Sequence, residues 1–181
     1  MPKTVGANTV EHIRDLELPN EHRKVLARVF SKLIGEKATQ TMPKIQQAFL
    51  PGRDISEANV AVQEAYYRAA ERDILKFWLL LDCSKGYNNM SWEWIEKVLQ
   101  AANLPEGLFR AALRLVRESS EVIFVFERLV CSPVALGKGL AQGCPLSCVL
   151  YILAVDGMLE HVSKLAGVDL LVAFCDDRTI E

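Results

Sequence analysis

Three aspartates stand where two apolar segments of the chain end. Asp82 closes the segment 76–82, and Asp176 and Asp177 follow the segment 168–174 after one cysteine. If the two segments form neighbouring strands, the three carboxylates meet at one edge of a sheet, and such hard oxygen ligands suit Mg²⁺. Two ions about 3.5 to 4 Å apart support phosphoryl transfer of the kind that joins nucleotides. Aspartate is also common in ordinary turns, so the pattern requires independent support.

The surrounding sequence predicts the elements that must position these carboxylates. Apolar runs bounded by polar turns predict strands at 76–82 and 168–174, the first of them buried. Apolar periodicity and capping residues predict helices at 21–39, 56–72, 91–102, after Pro105, and from Pro145 to about Leu165. Segment 121–136 alternates like a hairpin, and 137–145 is a glycine-rich connection. This order predicts an α+β fold with helices packed on one side of the sheet.

Composition excludes several other classes of protein. The chain has 181 residues, half of them apolar, which is enough for a buried core. No apolar run approaches the roughly 18 residues that span a bilayer, because the longest one stops at Asp156. The five cysteines form no CxxC pair, which predicts free thiols in a reducing compartment. We therefore expect an intracellular protein, nuclear or cytoplasmic, without a membrane segment.

Net charge gives a mixed indication of the partner. The formal charge is −2, a poor match for a protein that holds nucleic acid. Residues 22–44, however, carry six lysines and arginines against Glu36 alone. Such a stretch can meet phosphates, although a basic helix face is more often a solvated surface.

Five short segments, in order along the chain, resemble the motifs of reverse transcriptases from non-LTR retrotransposons. Residues 82–92 are similar to the first catalytic motif, residues 142–147 to the second, and residues 174–177 to the aromatic-x-Asp-Asp turn. Upstream, residues 46–53, followed by Ile55 and Asn59, resemble a signature of non-LTR elements and their group II intron relatives. Residues 14–20, followed by Lys24, resemble the Arg-Pro-Ile-Ser-Leu block more loosely.

The resemblance implies a metal-dependent RNA-directed DNA polymerase. Asp82, Asp176 and Asp177 would be the catalytic residues and metal ligands, with Asp82 and Asp176 favoured as direct ligands. The cofactor would be Mg²⁺, with Mn²⁺ as an alternative. The implied partners are an RNA template, a DNA primer and deoxynucleoside triphosphates.

The resemblance also implies nucleotide-binding and template-binding residues. Tyr87 would be the steric gate that excludes a 2′ hydroxyl, and the competing interpretation is a core aromatic residue. Gln142, Gly143 and Arg14 would approach the nucleotide, although Asp15 stands where a proline is usual beside Arg14. The template-facing loop would contain Pro51, Gly52 and Arg53.

As a domain, the chain resembles an incomplete reverse transcriptase. Residues 1–75 would be partial fingers and residues 76–181 the palm, with the thumb absent. Only four residues follow Asp177, so the second strand of the Asp-Asp hairpin is expected to be a stub. The isolated chain is expected to be inactive, because the thumb and the primer-gripping hairpin that position the primer are also expected to be missing.

The sequence departs from the family pattern at several positions near the motifs. Asn88 replaces a second Asp, Gly86 an alanine, Ala141 a basic residue, and Arg178 an apolar strand residue. One alternative is therefore a degenerate or domesticated reverse-transcriptase fold that binds RNA or a partner protein without catalysis. A metal-dependent nuclease is the other, but it gives no role to residues 142–147.

Overall fold

The computed structural model describes residues 20–117, 121–122, 125–126, 129–130 and 132–181. Its helices are α1 Glu21–Thr41, α2 Ile55–Glu71, α3 Gly86–Asn89, α4 Trp92–Ala101, α5 Glu106–Arg117 and α6 Pro145–Ser163. Its strands are β1 Leu79–Leu81, β2 Glu121–Val122, β3 Val125–Phe126, β4 Leu129–Val130, β5 Val134–Ala135, β6 Leu171–Phe174 and β7 Asp177–Ile180. The predicted α+β class, with helices and a small antiparallel sheet, is confirmed.

Short polar side chains start three of the helices. Asn20 accepts a hydrogen bond from the Arg23 amide at the start of α1. The Asp54 side chain accepts from the Ser56 amide at the start of α2, and the Ser91 side chain accepts from the Trp94 amide at the start of α4. Each cap satisfies an amide that has no partner within its helix. The helix starts predicted from capping residues therefore agree with the structure to within one residue.

Helix α6 forms the centre of the core. Its first ten residues include most of its buried side chains, and it packs against α1 and α4. By length and composition alone α6 is apolar enough to cross a membrane, although no apolar run in the sequence predicts a membrane segment. However, 56% of its most apolar stretch is buried inside the protein. A helix that is apolar on every face is equally typical of a protein core.

The sheet that carries the aspartates is antiparallel and has the order β1-β7-β6. β7 lies in the middle and pairs along its full length with β6 and over three residues with β1. The expectation that the chain after Asp177 forms only a stub is therefore wrong. Pairing on both sides stabilises β7 despite its polar sequence, because each neighbour supplies a ladder of backbone hydrogen bonds.

The first strand differs from its prediction in length and burial. β1 covers only Leu79–Leu81, and all three leucines are exposed. The predicted buried strand over 76–82 is wrong on both points. β1 is an edge strand, and among the described elements only β7 pairs with it. An apolar run alone does not reveal whether a second layer covers the strand.

The other predicted hairpin is present as two short antiparallel pairs. β2 pairs with β5, and β3 pairs with β4. The glycine-rich connection that follows runs back over α3 and the residues after it. There the Leu140 amide donates to the Tyr87 carbonyl, and the Trp92 indole donates to the Gly139 carbonyl. This packing joins the second predicted motif to the first.

Candidate active site

The strand registers bring the predicted carboxylates to one end of the sheet. Leu81 is paired with Arg178, so continuing that register by one residue places Asp82 opposite Asp177. Phe174 is paired with Asp177 across the hairpin, which leaves Cys175 and Asp176 as the two-residue turn. The predicted neighbouring strands β1 and β6 do not pair directly, because β7 lies between them.

The carboxylates lie on the face of the sheet opposite α6. Successive side chains of a strand point to opposite faces. Arg178 is buried on the α6 side, where it meets Tyr151, whereas Asp177 is exposed. Asp82 is also exposed, and Asp176 in the turn is half-buried. The sheet thus presents Asp82 and Asp177 side by side at its open end.

The donor chemistry fits a hard divalent cation, since carboxylate oxygens are ligands that Mg²⁺ prefers. Among the described residues, however, no three His, Cys, Asp or Glu side chains form a group that could hold a metal ion. The three aspartates therefore share one end of the sheet without forming a closed three-ligand set. Mg²⁺ commonly binds through one or two carboxylates together with substrate phosphates, which this arrangement permits.

The turn between β6 and β7 is strained and tightly held. Cys175 has φ of 61°, a left-handed conformation that is rare for residues other than glycine. The fully buried Gln46 binds it at both ends: its Oε1 accepts from the Cys175 amide at 2.9 Å, and its Nε2 donates to the Cys175 carbonyl at 3.4 Å. The same Oε1 accepts from the Ala48 amide at 3.0 Å. Strain of this kind persists where the surroundings impose it, and it concentrates at functional sites.

The segment that carries Gln46 is itself part of the sheet. Gln46 forms a parallel bridge to Ala173, with hydrogen bonds from the Gln47 amide to Ala173 and from the Ala173 amide to Ile45. The segment 45–47 therefore covers the outer edge of β6. The side chain of Gln46 and the backbone of this segment together fix the position of the Asp-Asp turn.

Tyr87 lies behind the turn rather than beside open solvent. Its ring stacks on Tyr151 of α6, with centroids 4.6 Å apart and planes 9° apart. Its hydroxyl shares a hydrogen bond of 3.0 Å with the Cys175 thiol. Burial, followed by that hydrogen bond, raises the pKa of Tyr87, and burial raises the pKa of Cys175 to about 12. Both groups are therefore neutral at physiological pH. These contacts favour the core-aromatic interpretation of Tyr87, and the steric gate stays a prediction.

The other predicted nucleotide-binding residues lie along the connection before α6. Gln142 is half-buried, and its Nε2 donates to Asn88 Oδ1 at 3.4 Å. Gly143 is exposed next to it. Asn88, which directly follows Tyr87, thus links Gln142 to the segment that carries Tyr87. Arg14 lies outside the described residues.

The predicted template loop is organised from within by Arg53. Its guanidinium donates to the carbonyls of Pro43, Gln46 and Met42 at 2.6 to 2.7 Å. Pro51 and Gly52 are exposed. Arg53 therefore shapes the loop that carries Gln46, while Pro51 and Gly52 are the members of the trio open to a ligand.

An aromatic pair flanks the carboxylate end of the sheet. Phe49 is about half exposed, has φ of 55°, and lies 6.2 Å from Phe174, measured between ring centroids. Phe174 is paired with Asp177, so both side chains lie on the same face. The open face of the site therefore has an apolar side and an acidic side.

Three residues that hold the site were not identified as functional from the sequence. Gln46 was noted only as part of a motif, Tyr151 only as part of an apolar helix, and Arg178 only as a departure from the family pattern. A polar residue inside an apolar segment was the available signal for Tyr151. For Arg178 the signal was a charge in a strand next to the Asp pair.

Comparisons with known proteins identify the family of the chain. The family model described as reverse transcriptase (RNA-dependent DNA polymerase) matches residues 2–180. The chain is similar to the Xenopus laevis transposon TX1 uncharacterized 149 kDa protein, with 25% identity over 98% of this chain. It is also similar to the retrovirus-related Pol polyprotein from the Drosophila melanogaster type-2 retrotransposable element R2DM, with 23% identity over 99% of this chain. The chain spans 14% and 17% of these two relatives.

Proposed function

Because the chain belongs to the reverse transcriptase (RNA-dependent DNA polymerase) family, we propose that it carries the nucleotidyl-transfer site of an RNA-templated DNA polymerase. The observation that carries this proposal is the pair of strand registers that set Asp82 opposite Asp177 and place Asp176 in the adjoining turn. Carboxylates on adjacent strands of one sheet give a rigid base for such a site.

In this proposal Asp82, Asp176 and Asp177 hold Mg²⁺, or Mn²⁺ in its place. The bound ions would supply charge neutralisation at the triphosphate and activation of the primer 3′ hydroxyl. The chain's own contribution is positioning. Gln46 and the β7 ladder fix the turn, so the carboxylates need little rearrangement when substrate arrives.

Gln142 and Gly143 are proposed to meet the nucleotide, with Tyr87 as the gate and Arg14 as a phosphate ligand. Pro51 and Gly52, on the loop that Arg53 organises, are proposed to face the template. In this arrangement residues 1–75 belong to the fingers and residues 76–181 to the palm.

The gate role of Tyr87 has a direct test. In a polypeptide active in primer extension, Tyr87→Ala should relax discrimination against ribonucleotides, because removal of the ring opens space beside the sugar. Tyr66→Ala, at an exposed tyrosine of α2, is the control. An unchanged ratio of ribonucleotide to deoxynucleotide incorporation would assign Tyr87 to the core alone.

Templated synthesis is proposed for a longer polypeptide, since the chain spans 14% and 17% of its curated relatives. We expect the 181 residues by themselves to extend a primer slowly, while still binding the divalent ion. Metal binding is therefore the more direct test of the site.

The experiment is a Mn²⁺ titration of the purified chain, followed by electron paramagnetic resonance. Asp82→Asn and Asp176→Asn should each weaken binding roughly tenfold or more, because each removes a charged ligand. Asp73→Asn, at an exposed carboxylate after α2, should leave binding unchanged. A template-primer extension assay with Mg²⁺ and Mn²⁺ runs beside it, with Asp176→Ala as the inactive control.

The titration and the template-primer assay together separate the proposal from its competitors. Equal Mn²⁺ affinity in all variants would contradict a catalytic site and favour a fold that binds RNA or a protein without catalysis. Cleavage of the template strand that depends on Asp82 would favour the nuclease.

A further inference from the structure

We propose that Arg178 is a positioning residue that ties the segment carrying Asp82 to the turn carrying Asp176. The inference rests on the metal-dependent function proposed above. It concerns a residue that interrupts the family pattern, and it assigns that residue a role within the site.

One nitrogen of Arg178 makes both connections. Nη1 donates to the Cys83 thiol at 2.8 Å and to the Asp176 carbonyl at 3.1 Å. Cys83 directly follows Asp82, so the guanidinium holds the chain next to one proposed ligand and the backbone of another. The two segments are distant in sequence and adjacent in space, and a charged donor gives stronger hydrogen bonds than a neutral one.

The burial of Arg178 argues against an incidental surface charge. The residue is only 6% exposed, and its Nε has no hydrogen-bond partner among the residues that the structure describes. Within the described part of the chain, no carboxylate forms an ion pair with its guanidinium. A buried charge without an ionic partner is costly, so its position requires a compensating interaction. The compensating interactions are its hydrogen bonds to the Cys83 sulfur, the Asp176 carbonyl and the Tyr151 hydroxyl.

Gly86, a second departure from the family pattern, leaves space for the tyrosine that Arg178 contacts. Nη2 of Arg178 donates to Tyr151 Oη at 3.4 Å, and Tyr151 is buried against Tyr87. A Cβ on Gly86 would lie 2.6 Å from that Oη and 3.0 Å from the Tyr151 ring. Gly86 therefore permits the tyrosine that Arg178 binds. Gly86 and Arg178, which the sequence alone shows as two unrelated differences, both concern the Tyr151 hydroxyl: Arg178 binds it, and a side chain at position 86 would overlap it.

The test compares Arg178→Met with Arg178→Lys in the 181-residue chain. Hydrogen exchange is followed by mass spectrometry in peptides that cover 79–85 and 172–178. For Arg178→Met we expect roughly tenfold faster exchange in both peptides, because loss of the bridging donor frees both segments. Arg178→Lys keeps a charged donor and should recover part of the protection. Leu99→Ala, a fully buried site in α4, is the control for general destabilisation.

Mn²⁺ binding supplies the second readout. Arg178→Met should weaken Mn²⁺ affinity roughly tenfold, since the carboxylate segments lose their shared anchor. Leu99→Ala should leave that affinity unchanged under conditions in which it is folded. Tighter Mn²⁺ binding by Arg178→Met would overturn the proposal, because it would show that the guanidinium competes with the ion.

The outcomes distinguish this inference from the proposed function. If the native chain binds Mn²⁺ through Asp82 and Arg178→Met changes neither readout, the positioning role is refuted while the function stands. If the native chain binds no Mn²⁺ but both peptides lose protection in Arg178→Met, the tie is supported and the metal site is refuted. Exchange that rises only in 172–178, or as uniformly as in Leu99→Ala, also refutes the tie.

Discussion

The two parts of the chain that carry the carboxylates are held in very different ways. The β6–β7 turn is held by hydrogen bonds to the side-chain amide group of Gln46. The bridge from segment 45–47 and the full β6–β7 hydrogen-bond ladder also hold it. Asp82 follows a strand of three exposed leucines at the sheet edge. Lys76, just before that strand, forms ion pairs with Asp169 and with Glu181, in which Lys76 and Asp169 are partly or largely exposed. The pair with the exposed Asp169 contributes little to stability, whereas the Glu181 carboxylate is buried.

The β6–β7 turn is therefore the rigid part of the site, and the segment that carries Asp82 is the less firmly held part. The turn keeps its left-handed Cys175 because buried hydrogen bonds impose it, whereas Asp82 depends on the β1–β7 register and on the Arg178 contact at Cys83. Changes to the turn should therefore affect the whole fold, and changes to β1 should affect mainly the site. The predictions below test that ordering.

The largest effect is expected for Gln46→Ala. The substitution leaves the buried amides of Cys175 and Ala48 without an acceptor, and each unsatisfied group costs about 1 to 3 kcal/mol. We expect the free energy of unfolding to fall by about 3 kcal/mol. Urea denaturation followed by circular dichroism measures it.

Gln47→Ala is the matched control for that change. Gln47 is also buried, but its side chain donates to the Lys44 carbonyl within the same loop and to no other group in the described part of the chain. Its loss should cost about 1 kcal/mol. If the two variants were equally stable, the turn would not depend on the Gln46 amide.

A smaller loss of stability is expected for Gly86→Ala, which lies between the Asp82 segment and the β6–β7 turn. The new methyl group would overlap Tyr151, which is too buried to move freely, so we expect about 2 kcal/mol of destabilisation. Gly107→Ala, in α5 with open space around the added Cβ, should be neutral or slightly stabilising. Thermal unfolding compares the two. Adding Tyr151→Phe should recover part of the loss, since the nearest atom is then removed; a purely additive double variant would contradict this clash.

Local sequence signals predicted the helices and the resemblance well. Capping at Asp54 and Ser91 depends on neighbours within a few residues, so the chain itself contains the information. The prediction of a reverse transcriptase domain of non-LTR type, made from five motifs in order, is confirmed by the family match and the relatives.

The errors concern contacts that local patterns do not encode. The burial predicted for β1 was wrong because an apolar strand is buried only where another layer covers it. The predicted stub after Asp177 was wrong because β7 is stabilised by two partners rather than by its own residues. The Gln46 contact to Cys175 spans 129 positions, which no spacing rule reveals. The Arg178 charge was visible in the sequence, but its burial against Tyr151 was not.

The smallest effect on stability is expected for Leu80→Thr in β1. Leu80 is 79% exposed in the middle of the edge strand, and threonine has the β-branched shape that strands favour. The free energy of unfolding should change by no more than about 0.5 kcal/mol. The same change at Leu171 of β6, a buried position, should cost about 3 kcal/mol, because it removes packed apolar volume and buries a hydroxyl.

Self-association should show the opposite order, with a larger effect for Leu80→Thr than for Leu171→Thr. An exposed apolar edge strand is a template for pairing with another chain, so Leu80→Thr should lower the fraction of oligomer seen by analytical ultracentrifugation. If Leu80→Thr instead destabilises the monomer as much as Leu171→Thr, β1 is covered in solution. The site would then have two firmly held sides, and the contrast between the turn and β1 would be refuted.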